Sequence, residues 1–502
     1  MSITFEAMLR LKALHERRAQ VRVTHQQVRI APDALILVPV KMAGEDVTIW
    51  AIGFGRRGRP MQFDFVADPR NRDREYGLFG RLGAVVADYY LECQILDRPP
   101  QVWVVSPAAV KLLDLLADRL RYGTDGPYAK PAAVITFGEH LTHLAQRWVI
   151  PGNHTLVAAT NVLTAHFATG QQAADDQHLE AGLVWVDAPA DEEEFWAALA
   201  VAETVPMGVL ANPETDNDDL ADRVEAWNVA RRNGADDATL DRLARPIGAV
   251  LHTVIEPIYG AIGRTIDAVE ALGLPELPTL ADRWSDEAWA FRSFMSYLER
   301  PEHRFALRDR PLPAALGLLE REAATANCVA EGTIHDRGMR AEAKAAGTAF
   351  EARIAGHQSH IAAGVGPSGR RTSRQVHTLV LEAAEPDARI RRGDSFHWLA
   401  APNFSVRIDA FRITPARTLQ IEATVISGHR SPGVPAVGRR LELVSEVPDR
   451  WRLPKKRRKL RDRLANGLPW PQDRDQPAPA PAGAPHPDPL AVVERLRRPE
   501  RP

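Results

Sequence analysis

The spacing of apolar residues changes character three times along this chain, and that change constrains the fold more than any motif in it. Three strand-like runs come first, Ala34–Val40, Val47–Phe54 and Met61–Val66, separated by Gly-rich or charged turns. Helical spacing dominates from about 190 to 357. Strict alternation returns between 372 and 447, where Phe404, Val406 and Ile408 alternate with Ser405, Arg407 and Asp409. After Pro469 no pattern survives, and ten of the last 34 residues are proline. Such a chain is multidomain, with an α/β part, an all-α part and a small β part in that order.

Up to residue 189 helices and strands alternate. Glu75–Cys93 has a helical pattern, and Gln101–Ser106 reads as a buried strand. Ser106 and Pro107 supply an N-cap and an N1 proline for a helix over Pro107–Arg121. A strand over Ala132–Phe137, a helix through Trp148, a strand over Gly182–Val186 and a helix over Asp191–Val201 follow. Over about residues 34–150 this order resembles the ribonuclease H-like topology. The resemblance implies a mixed α/β sheet. In that family the first strand carries a central aspartate, whereas here it reads ALILVPV, with no acid. The resemblance therefore implies a catalytically degenerate copy.

The chain divides into an α/β domain (1–189), an acidic helical domain (190–357), a Gly-rich linker (358–371), a small OB-like or SH3-like barrel (372–450), a basic arm (451–468) and a disordered Pro-rich tail (469–502). The helical domain ends in a long Ala-rich helix near Thr333–Gly356.

Composition excludes several classes. With 25% charged residues and a formal charge of −2, the whole molecule is no polybasic nucleic-acid coat. Two distant cysteines, Cys93 and Cys328, make neither a disulfide framework nor a thiolate zinc site, which fits a reducing cytoplasm. Charges at Glu6, Arg10, Lys12 and Glu16 interrupt the place of a signal peptide, and no uncharged apolar window reaches membrane-spanning length.

Gly53-Phe54-Gly55-Arg56-Arg57-Gly58 spells a dinucleotide fingerprint, but Pro60 and an alternating strand follow where a helix must start, so it reads as a hairpin turn. Gly364–Arg371 mimics a phosphate loop without its lysine or hydroxyl residue, and reads as part of the linker. Asp64, Asp68 and Glu75, with Asp73, form the best acidic cluster. Carboxylates at a strand end can hold Mg²⁺ for phosphoryl chemistry, so these residues define an alternative nuclease or phosphohydrolase site; the plain reading is a solvent-facing strand, a turn and a helix start. His140 and His143 share a helix face, and His357 and His360 form a second pair at a helix end; each lacks the further ligands of a zinc site.

The strongest constellation is electrostatic. Residues 351–463 hold 22 basic and 11 acidic side chains, whereas 171–300 hold 9 and 26. The arm contributes Lys455, Lys456, Arg457, Arg458, Lys459, Arg461 and Arg463, with Arg452. Arg407 and Arg412 add charge on the barrel, and Phe396, His397 and Trp398 offer stacking surfaces. Arginines neutralise phosphates and aromatics stack bases, so a non-catalytic accessory protein that binds DNA or RNA and docks a partner enzyme is the expectation, with no cofactor and no membrane. A protein–protein scaffold without nucleic-acid contact is the other alternative, the arm being equally suited to an acidic partner.

Overall fold

The computed structural model describes residues 3–123, 129–211, 215–300, 303–305, 311–365, 371–384 and 388–465. Helix α1 (Ile3–Glu16) and the short β1 (Gln20–Val21) precede a five-stranded mixed sheet. Its strands are β2 (Leu35–Lys41), β3 (Ile49–Arg56), β4 (Gln62–Phe65), β5 (Val102–Val104) and β6 (Leu156–Ala158), in the order β4-β3-β2-β5-β6. The first three run antiparallel as a meander, and β5 and β6 lie parallel to β2. Pro39 sits inside central β2, where its missing donor removes a ladder bond unless no partner faces it. Leu35 N donates to Gln101 O and Lys41 N to Val209 O, so odd-numbered amides face the β5 side. There β5 pairs only with Leu35 and Ile36. The proline nitrogen therefore points past its end.

Helix α2 (Arg72–Ile95) joins β4 to β5, and α3 (Pro107–Leu120) and α4 (Ala132–Trp148) join β5 to β6. The expected strand over Ala132–Phe137 is thus the first turn and a half of α4. Its buried residues Val134, Phe137, Leu141 and Leu144 are spaced three and four apart, a helical stripe that an isolated six-residue window cannot reveal. Gln101, fully buried ahead of β5, accepts from Ala31 N (2.9 Å) and Trp103 Nε1 (3.0 Å) and donates to Arg29 O (2.7 Å) and His154 O (3.0 Å). Helix α5 (Ala159–His166) and β7 (Phe167–Ala168) follow, β7 pairing with β1. The expected strand at Gly182–Val186 lies in helix α6 (Leu179–Val186), started by His178 accepting from Ala181 N; α7 (Glu192–Thr204) comes next.

Helices α8 (Ala221–Arg232), α9 (Asp237–Ala271), α10 (Pro278–Leu298), α11 (Pro311–His335) and α12 (Arg337–Ala345) make the helical region. It is no separate body. Leu37 and Val38 of the sheet share one core with Ile255 and Phe291, so residue 189 marks a change of secondary structure rather than of core. Helix α9 lies across β2, β3 and β4. A Cβ at Gly53 would meet Ile255 Cγ2 at 2.4 Å, one at Gly55 would meet Tyr259 Oη at 2.5 Å, and one at Gly248 of the helix would meet the Phe65 ring at 2.5 Å. Helix α10 is tied to α4 by the Arg147 guanidinium, which grips buried Glu287 with two bonds of 2.8 Å and reaches Glu320 of α11 at 2.9 Å.

The Ala-rich helix expected through Gly356 stops early. Asp336 caps α12 by accepting from Met339 N (2.7 Å), and Gly347, at φ +72°, turns the chain into a strand. Strands β8 (Ala349–Val365), β9 (Arg371–Ala383), β10 (Ser395–Trp398), β11 (Ala401–Ile413), β12 (Leu419–Ser427) and β13 (Arg440–Val444) close an antiparallel barrel in the order β10-β11-β12-β9-β8-β13. Phe350, Ile354, Leu381, Phe404, Ile408, Ile421 and Leu441 fill it. Most of the stretch expected as a linker, 358–371, belongs to the β8–β9 hairpin. Among the described residues β13 covers β8 only over 349–353 and β12 covers β9 only over 378–383, so 359–365 and 371–377 form a two-stranded ribbon that no third strand covers. Without that cover it lacks the apolar alternation that marks a strand. Helix α13 (Arg452–Ala465) belongs to a second unit that begins at Trp451, and the proline-rich tail lies outside the described residues. Among the described residues no helix is long and apolar enough to cross a membrane.

The contact between β3 and α9 gives a direct check. Ile255 is β-branched and stiff on its helix, so Gly53→Ala cannot be absorbed by rotation and is expected to cost about 1–3 kcal/mol. Urea unfolding should show the loss as a lower midpoint, with Gly80→Ala, on α2 at a helical φ where a Cβ meets nothing within 4 Å, as the control free of overlap and of backbone strain.

Candidate nucleic-acid interface and charged cavity

Arg407 and Arg412 are five apart on β11, an odd separation that in a regular strand puts side chains on opposite faces. A bulge between Ile408 and Ala410 brings them to one face, opposite Thr424 and Gln420 of β12. Arg407 pairs with Asp409 at 3.2 Å, and Arg412 Nε donates to Gln420 Oε1 at 2.8 Å. Trp398 is half-buried at the end of β10, 6.0 Å from Phe404, with the Arg439 guanidinium 5.2 Å from its ring centre. Phe396, expected as a stacking surface, is 2% exposed and belongs to the barrel core, because β10 alternates and Phe396 takes the inward position. His397 is bonded to Pro402 O at 3.0 Å.

The β8–β9 ribbon is a further charged element. Between Glu351 and Glu382 there is no acidic residue, a signal present in the sequence but hidden by the linker assignment. Arg371 stands opposite Val365 and Arg374 opposite Ala362. Nearer the barrel, His357 Nε2 and His377 Nδ1 lie 3.0 Å apart, and the His429 ring is 6.1 Å from that of His377. Helix α13 carries Arg452, Lys455, Lys456, Arg457, Arg458, Lys459, Arg461 and Arg463 against one acid, Asp462. Five consecutive cations, Lys455–Lys459, advance by about 100° each and so encircle the helix rather than forming one stripe.

The acidic cluster does not assemble. Asp64 is clasped by Arg81 through two bonds of 2.6 and 2.9 Å, Asp68 lies 3.5 Å from Arg231, and Glu75 is bonded to Arg119. Each carboxylate faces a different arginine from a different helix. Glu75, 1% exposed, also accepts from Ile49 N (3.2 Å), and Arg119 Nη1 donates to Val47 O (2.8 Å). Burial raises the Glu75 pKa, with Arg119 opposing. Among the described residues no group of three or more His, Cys, Asp or Glu side chains is placed to hold a metal ion.

Glu75 instead lines a cavity of about 450 Å³ with Glu45, Arg70, Arg72, Arg119 and Lys130, where the loop before β3, the start of α2 and the end of α3 meet. A larger cavity of about 1140 Å³ lies among α3, α4, α10 and α11. Among its charges Arg147 binds Glu287 and Glu320, and Arg121 lies 2.6 Å from Asp118. Comparison with protein families, curated proteins and solved structures finds no match for this chain.

His140 and His143, whose spacing without further ligands reads as surface or capping histidines, are instead buried in an aromatic setting. His140 stacks on Tyr90 (4.2 Å between centroids) and His143 on Phe294 (4.7 Å). His154 is fully buried elsewhere, accepting from Arg29 N at 3.3 Å, and His166 Nδ1 is bonded to Val162 O at 2.8 Å. Burial lowers His140 to about 4 and His143 and His154 to about 3. All three are neutral in the folded protein at pH values where the unfolded chain protonates them. Their contribution to stability is therefore fully present above pH 6.5 and is lost as pH drops from about 6.5 toward 4. Near pH 5, where the slope is fullest, three withheld protons correspond to about 4 kcal/mol per pH unit. Urea midpoints between pH 7 and 4.5 should show the fall, and His143→Leu should make it shallower; an unchanged slope in that variant would assign the acid sensitivity to other groups.

Proposed function

We propose that this protein is a non-catalytic nucleic-acid-associated accessory factor, engaging DNA or RNA through its C-terminal barrel region and basic helix and docking a partner enzyme through its remaining surface. The observation that carries the reading is α13, with eight basic residues and one acid in fourteen. Cations at that density neutralise successive phosphates and release their counterions, which is the main source of affinity for a polyanion. The β8–β9 ribbon supports the same reading, since a two-stranded ribbon without acidic residues fits a nucleic-acid groove. The barrel has one strand more than the five of an OB fold, so the proposal rests on charge rather than on that analogy.

For the N-terminal sheet we propose the ribonuclease H-like topology. Numbered within the sheet, the strands run third, second, first, fourth, fifth, with the first three antiparallel and the last two parallel to the first. The first strand has no acid, and Asp64, Asp68 and Glu75 are each engaged by an arginine. That arrangement supports a role without phosphoryl chemistry. The surplus of acids over 171–300 supports a protein-facing surface on the helical region.

The full chain should bind labelled single-stranded DNA, duplex DNA or RNA with log affinity falling against log salt by several units. Replacing the eight basic residues of α13 by Gln should reduce that slope, and Arg371→Gln with Arg374→Gln should weaken binding further. Absence of binding at about 50 mM salt, where phosphate contacts are strong, would instead assign the arm to a protein partner.

A further inference from the structure

The cavity beside the start of α2 carries more positive charge than its own acids balance. Its two carboxylates are matched, Glu75 with Arg119 and Glu45 with Arg70 at 3.1 Å. Arg72 and Lys130 remain, and among the described residues neither forms an ion pair within 4.0 Å. Lys130 is held in place rather than left to roam: its Nζ donates to Arg119 O and Tyr122 O, both at 2.5 Å. An ammonium has three donors, so one N–H is left over. Burial, together with the nearby charges of Arg119 and Arg72, keeps this lysine below its ordinary pKa. A cation crowded by cations is the condition that a bound anion relieves. The volume, about 450 Å³, falls within the range of small-molecule sites.

We propose that this cavity binds the dianionic phosphate of a phosphate monoester, with Arg72 and Lys130 as its two charge partners. The match is one of number and reach. Two unmatched cations meet a group carrying close to two negative charges above about pH 6, and the arginine fork suits paired phosphate oxygens. Glu75 does not oppose the ligand, because Arg119 neutralises it from within the protein. The first turn of α2 contributes little, since the Asn71 side chain already accepts from Asp73 N and Arg74 N. A free small phosphate and the terminal phosphate of an oligonucleotide present the same chemistry. This inference does not rest on the nucleic-acid reading of α13, which involves other residues.

The test uses the full chain with inorganic phosphate, adenosine monophosphate, and an oligonucleotide of about ten nucleotides with and without a terminal phosphate, the length being roughly one OB-type binding site. Calorimetry and melting temperature should both report saturable binding of inorganic phosphate. Binding of the monophosphate should weaken as pH falls through about 6, where its second charge is lost. Arg72→Ala and Lys130→Ala should each weaken it about tenfold or more, the loss of one charge-assisted contact. Arg72 is exposed, so its variant should keep the ligand-free melting temperature even if Lys130→Ala does not. Tighter binding of the monophosphate than of either oligonucleotide marks a free metabolite. A preference for the phosphorylated oligonucleotide that Arg72→Ala abolishes, and that survives neutralisation of α13, marks a strand end. No saturable phosphate binding, or binding indifferent to Arg72→Ala, overturns the proposal.

Discussion

The first 300 residues depend on how closely one helix approaches one strand. At Gly53 and Gly55 the backbone of β3 is bare, and Ile255 and Tyr259 of α9 occupy the space that side chains would fill. Phe65 of β4 enters the matching space at Gly248. These reciprocal contacts bring α9 down onto the sheet, where Ile247, Leu251, Ile255, Ile258, Ile262 and Ile266 are buried as one stripe at three- and four-residue spacing. Hydrophobic burial scales with area removed from water, so a helix held off by even one methyl layer would lose much of that stripe's contribution. The glycine pattern that spells a dinucleotide fingerprint is therefore explained by helix–sheet packing. Gly58, at φ +70°, supplies only the turn into β4.

The interior holds its buried charges by a consistent device. Arg147 with Glu287 and Arg119 with Glu75 are arginine forks closed on carboxylates that are 3% and 1% exposed. A buried carboxylate is costly unless its partners are fixed, and each has a second donor, Thr155 Oγ1 at 2.7 Å or Ile49 N at 3.2 Å. Arginine suits this work because it stays charged and its planar donors match a carboxylate. What matters chemically is where the pairing stops. Among the described residues lining the cavity beside α2 it stops at Arg72 and Lys130; toward the C-terminus the chain runs from Ala352 to Leu381 without an acid and then reaches α13.

Local chemistry explains which parts of this fold were legible in sequence. The β2–β4 meander, α2 and the helix start at Pro107 are written in turns, alternation and an N1 proline, each within a few residues, although Ser106 takes the N-cap position without a side-chain cap bond. Ala132–Phe137 and Gly182–Val186 were not, because a short apolar run fits a buried strand and a buried helix equally. The deciding features lay just outside those windows, in the longer stripe to Leu144 and in the His178 cap. The ribbon was illegible for the opposite reason: among the described residues 359–365 and 371–377 pair only with each other, so no third strand imposes a pattern on them. Asp64, Asp68 and Glu75 were visible as candidate ligands. Their neutralisation was not, because Arg81, Arg231 and Arg119 come from 17, 163 and 44 residues away. Acidic clustering along the chain says what could be brought together, and only the fold says what faces what.

A formal charge of −2 argues against a polyanion partner only if charge acts as a total. It does not. At about 0.1 M salt the screening length is about 10 Å, so an approaching phosphate responds to the charges within one or two turns of helix. The arm offers eight cations against one acid on a helix of fourteen residues, while 171–300 carries 26 acids against 9 basic residues. The near-zero sum arises from segments of opposite sign cancelling in the arithmetic, not from a surface that is neutral everywhere. Local surplus, rather than net charge, selects the ligand at each site, and the same reasoning applies at the scale of a single cavity. There, two matched ion pairs leave Arg72 and Lys130 as the only charges an incoming group would meet uncompensated among the described residues.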